Sequence, residues 1–247
     1  MNKLKNIIYV FALILLLSIN FSCEREAVQN LDDRTWDLVW SDEFNGPQGN
    51  LPDTSKWNFD LGTGQDGWGN NELQSYTNDT SNIAMDGEGN LLITALANGT
   101  SFTSARINTK GKFTQKYGRF EANIKTPYGP GIWPAFWMLG SNIDSVSWPT
   151  CGEIDIMELR GQLPHIINGS LHGPGYSGGN PITGSYSLIN DRFDNDYHLF
   201  AVEWDEDKID FFVDDYLYNR VIREDASGEW VYDQPFYMLL NLAVGGN

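Results

Sequence analysis

Short runs of strand-forming residues, separated by turn residues, dominate the chain. The clearest cover 90–97, 117–125, 132–139, 153–159, 166–172, 197–204, 208–213 and 236–242. No long amphipathic helical pattern competes with them. Many short strands with frequent turn signals fold as an antiparallel sandwich or barrel. Gly 25, Trp 9, Tyr 11 and Phe 13 among 247 residues fit a β-rich chain with many tight turns. The length suits one domain with a real core, and no internal repeat divides the segment from Trp36 onwards.

Side chains alternate across a strand, so each run assigns its own faces. In 117–124, Gly118, Phe120, Ala122 and Ile124 form a packing face, while Tyr117, Arg119, Glu121 and Asn123 form a wet one. In 132–139, Ile132, Phe136 and Met138 face one way, and Trp133, Ala135 and Trp137 the other. Pro134 lacks a ladder donor, which predicts an edge strand or a bulge there.

The segment Cys151-Gly-Glu-Ile-Asp-Ile-Met-Glu158 raises a parity problem. Glu153 and Asp155 share a face, but strict alternation turns Glu158 with Ile154 and Ile156 into the core. A lone carboxylate buried there is costly. One extra residue in a β-bulge near Met157 brings all three acids to one side. The bulged stretch then spans roughly 13 Å between Cα atoms. Side chains leaning inward leave the glutamate carboxyls about 5–6 Å apart, the spacing of a retaining glycosidase. Crowded negative charge keeps at least one acid protonated near neutral pH. A solvated acidic face or a calcium site is the blander alternative, and the aromatic neighbours weigh against it. Trp133 and Trp137 lie about 13 Å apart on one face, a spacing that suits stacking on pyranose rings. Trp68, Asn70, Asn71, Glu72 and Gln74 line a Gly-rich loop, and His172 precedes a Gly-Pro-Gly turn from which it can donate to a sugar hydroxyl.

Charge and motifs narrow the function classes. With 33 acidic and 16 basic residues, the net charge of -17 argues against a nucleic-acid partner and suits a neutral polysaccharide. Gly62-Thr-Gly-Gln-Asp-Gly67 matches a dinucleotide pattern but is followed by Trp-Gly-Asn-Asn, not a helix. His165, His172 and His198 lack metal-ligand spacing, and no G-x-S-x-G elbow is present. At the N-terminus, Lys3 and Lys5 precede a short apolar run, and Ser22 precedes Cys23. Residues 1–23 resemble a bacterial lipoprotein signal that ends at a lipidated Cys23, with 24–35 an acidic tether. Plain secretory cleavage is the alternative. Cys151 is then a lone thiol, read as a small buried residue rather than a nucleophile.

Glu153-Ile-Asp-Ile-Met-Glu158 resembles the signature of glycoside hydrolase family 16. The chain is similar to its bacterial laminarinase branch, the endo-β-1,3-glucanases, over essentially 36–247. Supporting segments are Trp40-Ser-Asp-Glu-Phe44, Trp68-Gly-Asn-Asn-Glu-Leu-Gln74, Gly131-Ile-Trp-Pro-Ala-Phe-Trp-Met138, Leu171-His-Gly-Pro-Gly-Tyr176 and Asn241-Leu-Ala-Val-Gly-Gly-Asn247. The resemblance implies an all-β, two-sheet antiparallel β-jelly-roll sandwich with a concave substrate cleft. It implies retention, with Glu153 as nucleophile, Glu158 as acid/base and Asp155 assisting. Met157 matches the bulged form of the motif rather than the compact lichenase form. Trp133 and Trp137 match subsite tryptophans; Asn71, Arg106 and His172 match further cleft residues. A structural calcium near Glu43 is implied, and no cofactor is expected for catalysis. Against relatives, 36–247 reads as a catalytic domain lacking its C-terminal end, which predicts poor folding alone. Alternatives are a mixed-linkage glucan or marine galactan hydrolase, or a glycan-binding surface lipoprotein with impaired catalysis. The expected setting is export to the outer membrane or cell surface through the lipid anchor, or else secreted or periplasmic, with no protein partner implied.

Overall fold

A computed structural model describes residues 34–246, and the unit Trp36–Asn247 carries the elements discussed below. The proposed signal, Cys23 and most of the tether lie outside the described residues. Two β-sheets form the body. The larger has seven strands in the order β1 (Asn58–Asp60), β7 (Arg106–Asn108), β16 (Phe236–Val244), β9 (Ile132–Gly140), β10 (Glu153–Leu159), β11 (Ile166–His172) and β12 (Ile182–Ser187). The smaller runs β15 (Tyr216–Ile222), β14 (Lys208–Val213), β13 (His198–Trp204) and β8 (Gly118–Ile124). Every pair within these two sheets is antiparallel.

Alternation explains the layering. Met138, Ile154 and Leu171 are cross-strand neighbours on the inner face of the large sheet. Phe120, Phe200, Val202, Trp204, Ile209 and Phe211 come from the small one, and all of these residues share one buried core. Each fully buried side chain of this size contributes about 1.5–3 kcal/mol. Gly169 sits where Tyr218 and Phe211 press against β11: a Cβ there would lie 2.3 Å from the Tyr218 hydroxyl.

Two expectations need correction. The run 90–97 is not one strand but β4 (Leu91–Ile93) and β5 (Leu96–Asn98), which pair with β3 (Ile83–Met85) and β6 (Ser101–Ser104) respectively. β6 also pairs parallel with β2 (Gln74–Tyr76), so the peripheral strands are not all antiparallel. Pro134 lies in β9, an interior strand, and the bulge is in β10. Its β16 partner Leu242 turns its N–H to Ala105. The missing donor of Pro134 therefore faces β10, where pairing stops at Ala135. No ladder bond is lost.

Candidate active site

The outer face of the large sheet is built in rows. One row crosses five strands as Asp60, Arg106, Asn241, Ala135 and Glu158, and continues to Asn168. The next runs Asn108, Leu239, Trp137, Asp155 and Ser170. A third joins Tyr237, Leu139, Glu153 and His172. Glu158 reaches its row because the register slips between Asp155 and Met157 on the β9 side, and between Asp155 and Glu158 on the β11 side. Ile156 and Met157 are both buried, so the bulge tucks two apolar residues under the sheet and returns Glu158 to the face of Glu153 and Asp155.

Burial controls the charge of this triad. The Asp155 side chain is 4% exposed against 17% for Glu153, so Asp155 is the member least open to an incoming ligand. Burial, then the charge of Asp155, pushes Glu153 well above the usual carboxylate range. Burial and the charge of Glu158 do the same to Asp155. Glu158 is also raised by burial, while His172, the Trp133 N–H and Arg160 hold it down. Three carboxyls so placed share protons, and fewer than three negative charges persist near neutrality. His172 Nδ1 accepts the Gly178 backbone N–H at 3.2 Å, which leaves the proton on Nε2. That nitrogen lies 3.1 Å from Asp155 Oδ2 and 3.7 Å from Glu153 Oε1. Asp155 Oδ2 is buried without an aligned hydrogen bond.

Aromatic rings and their supports occupy the rest of the face. Trp133 Nε1–H donates to Glu158 Oε1 at 3.0 Å. Trp137 Nε1–H donates to Asn241 Oδ1 at 2.7 Å, Asn241 donates to the Tyr76 hydroxyl, and Tyr76 donates to Glu72. Arg106 sits between Trp68 and Trp137, its guanidinium carbon 4.6 and 4.8 Å from the ring centroids, and pairs with Asp60 at 2.8 Å. The loop that carries Trp68 is tied to β16 through the Glu72–Gly245 bridge and the Leu73 N–H to Val244 O bond.

The expected residues thus divide. Glu153, Asp155, Glu158, Trp133, Trp137, Arg106 and His172 converge on one face. Asn71 is exposed at the end of the Gly67–Asn71 turn. Glu43 is exposed and lies apart from the triad, and among the described residues it joins no group of three acidic, histidine or cysteine ligands. Calcium prefers six to eight oxygens, so a site at Glu43 needs backbone carbonyls. Two of the triad acids with His172 offer a different donor set: Glu153, Asp155 and His172 each present an atom within 4.8 Å of the others. Cys151 is fully buried, and burial pushes its thiol up to about 11, as expected of a packing residue. Asp60, Asn241 and Arg160 were not anticipated. Alternation in 236–244 singles out Asn241 as an amide on a face otherwise made of Tyr237, Leu239 and Ala243.

Comparison with known proteins gives a consistent result. The family model for glycosyl hydrolases family 16 matches residues 65–246. The chain is 41% identical to a beta-glucanase of Rhodothermus marinus over 245 residues, covering 94% of this chain and 84% of that protein. Among solved structures it is similar to a laminarinase from Flavobacterium sp. UMI-01, with 48% identity, TM-score 0.79, and 85% and 90% of the two chains covered. It is also similar to the laminarinase catalytic domain of Thermotoga maritima MSB8, with 44% identity, TM-score 0.79, and 87% and 89% covered.

Proposed function

The chain belongs to glycosyl hydrolases family 16, and from that premise we propose that it is an endo-β-1,3-glucanase acting with retention of configuration. The observation that carries the reading is the bulge, which sets Glu153 and Glu158 on one face beside Trp133 and Trp137. In this reading Glu153 attacks the anomeric carbon as Glu158 gives its proton to the departing glycosidic oxygen. The resulting glycosyl ester on Glu153 is opened by water, whose proton returns to Glu158. Glu153 attacks only as a carboxylate. The proton that the two neighbouring acids share must then sit on Asp155, which burial and the charge of Glu158 also raise. The Trp133 N–H aims the Glu158 carboxyl.

Reducing-end release from laminarin, beside a mixed-linkage glucan and Glu153→Gln, tests the proposal. Turnover of laminarin, abolished by the substitution and unaffected by a chelator, is expected, with the β-anomer as first product by NMR. Loss of activity to the chelator with the fold intact and in Glu43→Gln as well assigns the acids to a metal. Binding without turnover, unchanged by Glu153→Gln, assigns the protein to glycan binding.

Two further parts belong to the same proposal. The Lys3/Lys5 region, the apolar run and Ser22-Cys23 support export with Cys23 lipidated, an anchor that Cys23→Ala would release from membranes. Among the described residues no helix is long and apolar enough to cross a membrane. Calcium near Glu43 has a stabilising role only, and a rise in Tm on adding calcium, lost in Glu43→Gln, is its signature.

A further inference from the structure

β10 does not end its contribution to the cleft at Glu158. Leu159 is fully buried, and alternation returns Arg160 to the exposed face, two residues beyond Glu158. Its backbone is fixed by the next residue. The Gly161 N–H donates to Ile132 O at 2.7 Å, and Gly161 O accepts the Gly129 N–H at 2.9 Å. A Cβ at Gly161 would lie 2.2 Å from Gly129 O, so this turn closes tightly against the start of β9.

Arg160 and Gln162 then line a cavity of about 360 Å³ with Ile132, Trp133, Gly245 and Gly246. The volume lies within the roughly 300–1,000 Å³ of small-molecule sites. Gly246 has φ +85, and a Cβ there would come within 2.6 Å of the Trp133 ring. Only bare backbone fits beside the ring here, and Trp133 stays half-buried on the cavity wall. Arg106, Arg119, Arg192, Arg220 and Arg223 are each held by a carboxylate. Arg160 has no such partner among the described residues, in a chain of net charge -17. A planar fork of N–H donors and a half-buried indole on the wall of one cavity match a sugar ring: the ring stacks and neighbouring hydroxyls accept from the fork.

We propose that Arg160, Gln162 and Trp133 form a sugar-recognition pocket beside Glu158, in which Arg160 donates to hydroxyls of the glucose unit stacked on Trp133 and sets affinity for the glucan. This rests on the glucanase reading above. Arg160→Met, Arg160→Lys and Gln162→Ala separate the outcomes in steady-state kinetics on laminarin across pH. Arg160→Met is expected to raise KM about 10-fold, the size of a lost charged hydrogen bond, with kcat within twofold at the pH optimum and the alkaline limb moved slightly upward, because Arg160 also helps to hold Glu158 down. Arg160→Lys recovers part of the loss, and Gln162→Ala raises KM less. An unchanged KM in Arg160→Met overturns the proposal. So does a fall in kcat larger than the rise in KM, because Arg160 would then act mainly through the charge of Glu158. A wild type inert on both glucans overturns the glucanase reading itself, a result distinct from a laminarin-active wild type that Arg160→Met matches.

Discussion

Deleting Met157 is expected to leave the two glutamates facing the cleft. Between Glu153 and Glu158 the neighbouring strand β9 advances only from Leu139 to Ala135, four steps for the five taken by β10. Removing one residue makes the counts equal. The span stays at four strand steps, roughly 13 Å, and Glu153, Asp155 and Glu158 keep one face by plain alternation. The cost lies in packing. Met157 is 1% exposed, and loss of a buried side chain of that size costs about 2–5 kcal/mol. At about 2–4 °C per kcal/mol for a domain of this size, Tm falls by roughly 4–20 °C. Activity on laminarin survives within about 10²-fold, the penalty of a 1 Å misplacement. Deleting both Ile156 and Met157 sets three steps against four and turns Glu158 into the core. An unpaired buried carboxylate then opposes folding. Thermal melts and reducing-end assays on the two deletions decide the matter. If the single deletion loses activity as completely as Glu158→Gln, or the double deletion stays folded and active, the parity argument is wrong.

Two other predictions follow from the charges. Raised acids bind more protons in the folded than in the unfolded state, so their burial costs little below the ordinary carboxylate range and destabilises increasingly as pH rises. Glu153→Gln removes one of them and is expected to stabilise the fold at pH 8 by about 0.5–2 kcal/mol, the gain vanishing near pH 4; a gain independent of pH contradicts the assignment. Trp133→Phe keeps the ring but deletes the N–H that favours ionised Glu158, so the alkaline limb of kcat/KM is expected to move to higher pH. A limb that stays in place refutes the catalytic role of that bond.

Local physics was legible in the residues, while assembly across strands was not. The faces of 132–139 and 153–159 could be read because alternation is a property of one strand, and the bulge followed from the cost of a buried Glu158. The rows that place Asp60 and Asn241 beside Arg106 depend on which strands become neighbours, and β1, β7 and β16 come from distant parts of the chain. β1 is only three residues long, too short for a period to show. The stacking of Trp68 on Arg106 required the loop to be tied to β16. Pro134 misled because the rule concerns a donor facing a partner strand, and in β9 that direction is vacant at Pro134 even though the strand is interior.

The buried thiol at the foot of β10 has a use of its own. With Cys151 fully enclosed and its thiolate disfavoured, alkylation at neutral pH can proceed only from molecules in which this part of the sheet has come apart. The labelling rate of the native protein therefore acts as a clock for transient opening of the strand that bears the acids. A polysaccharide bound across that strand would slow the clock by the ratio of total to free protein, which gives affinity without a dye, a tag or turnover.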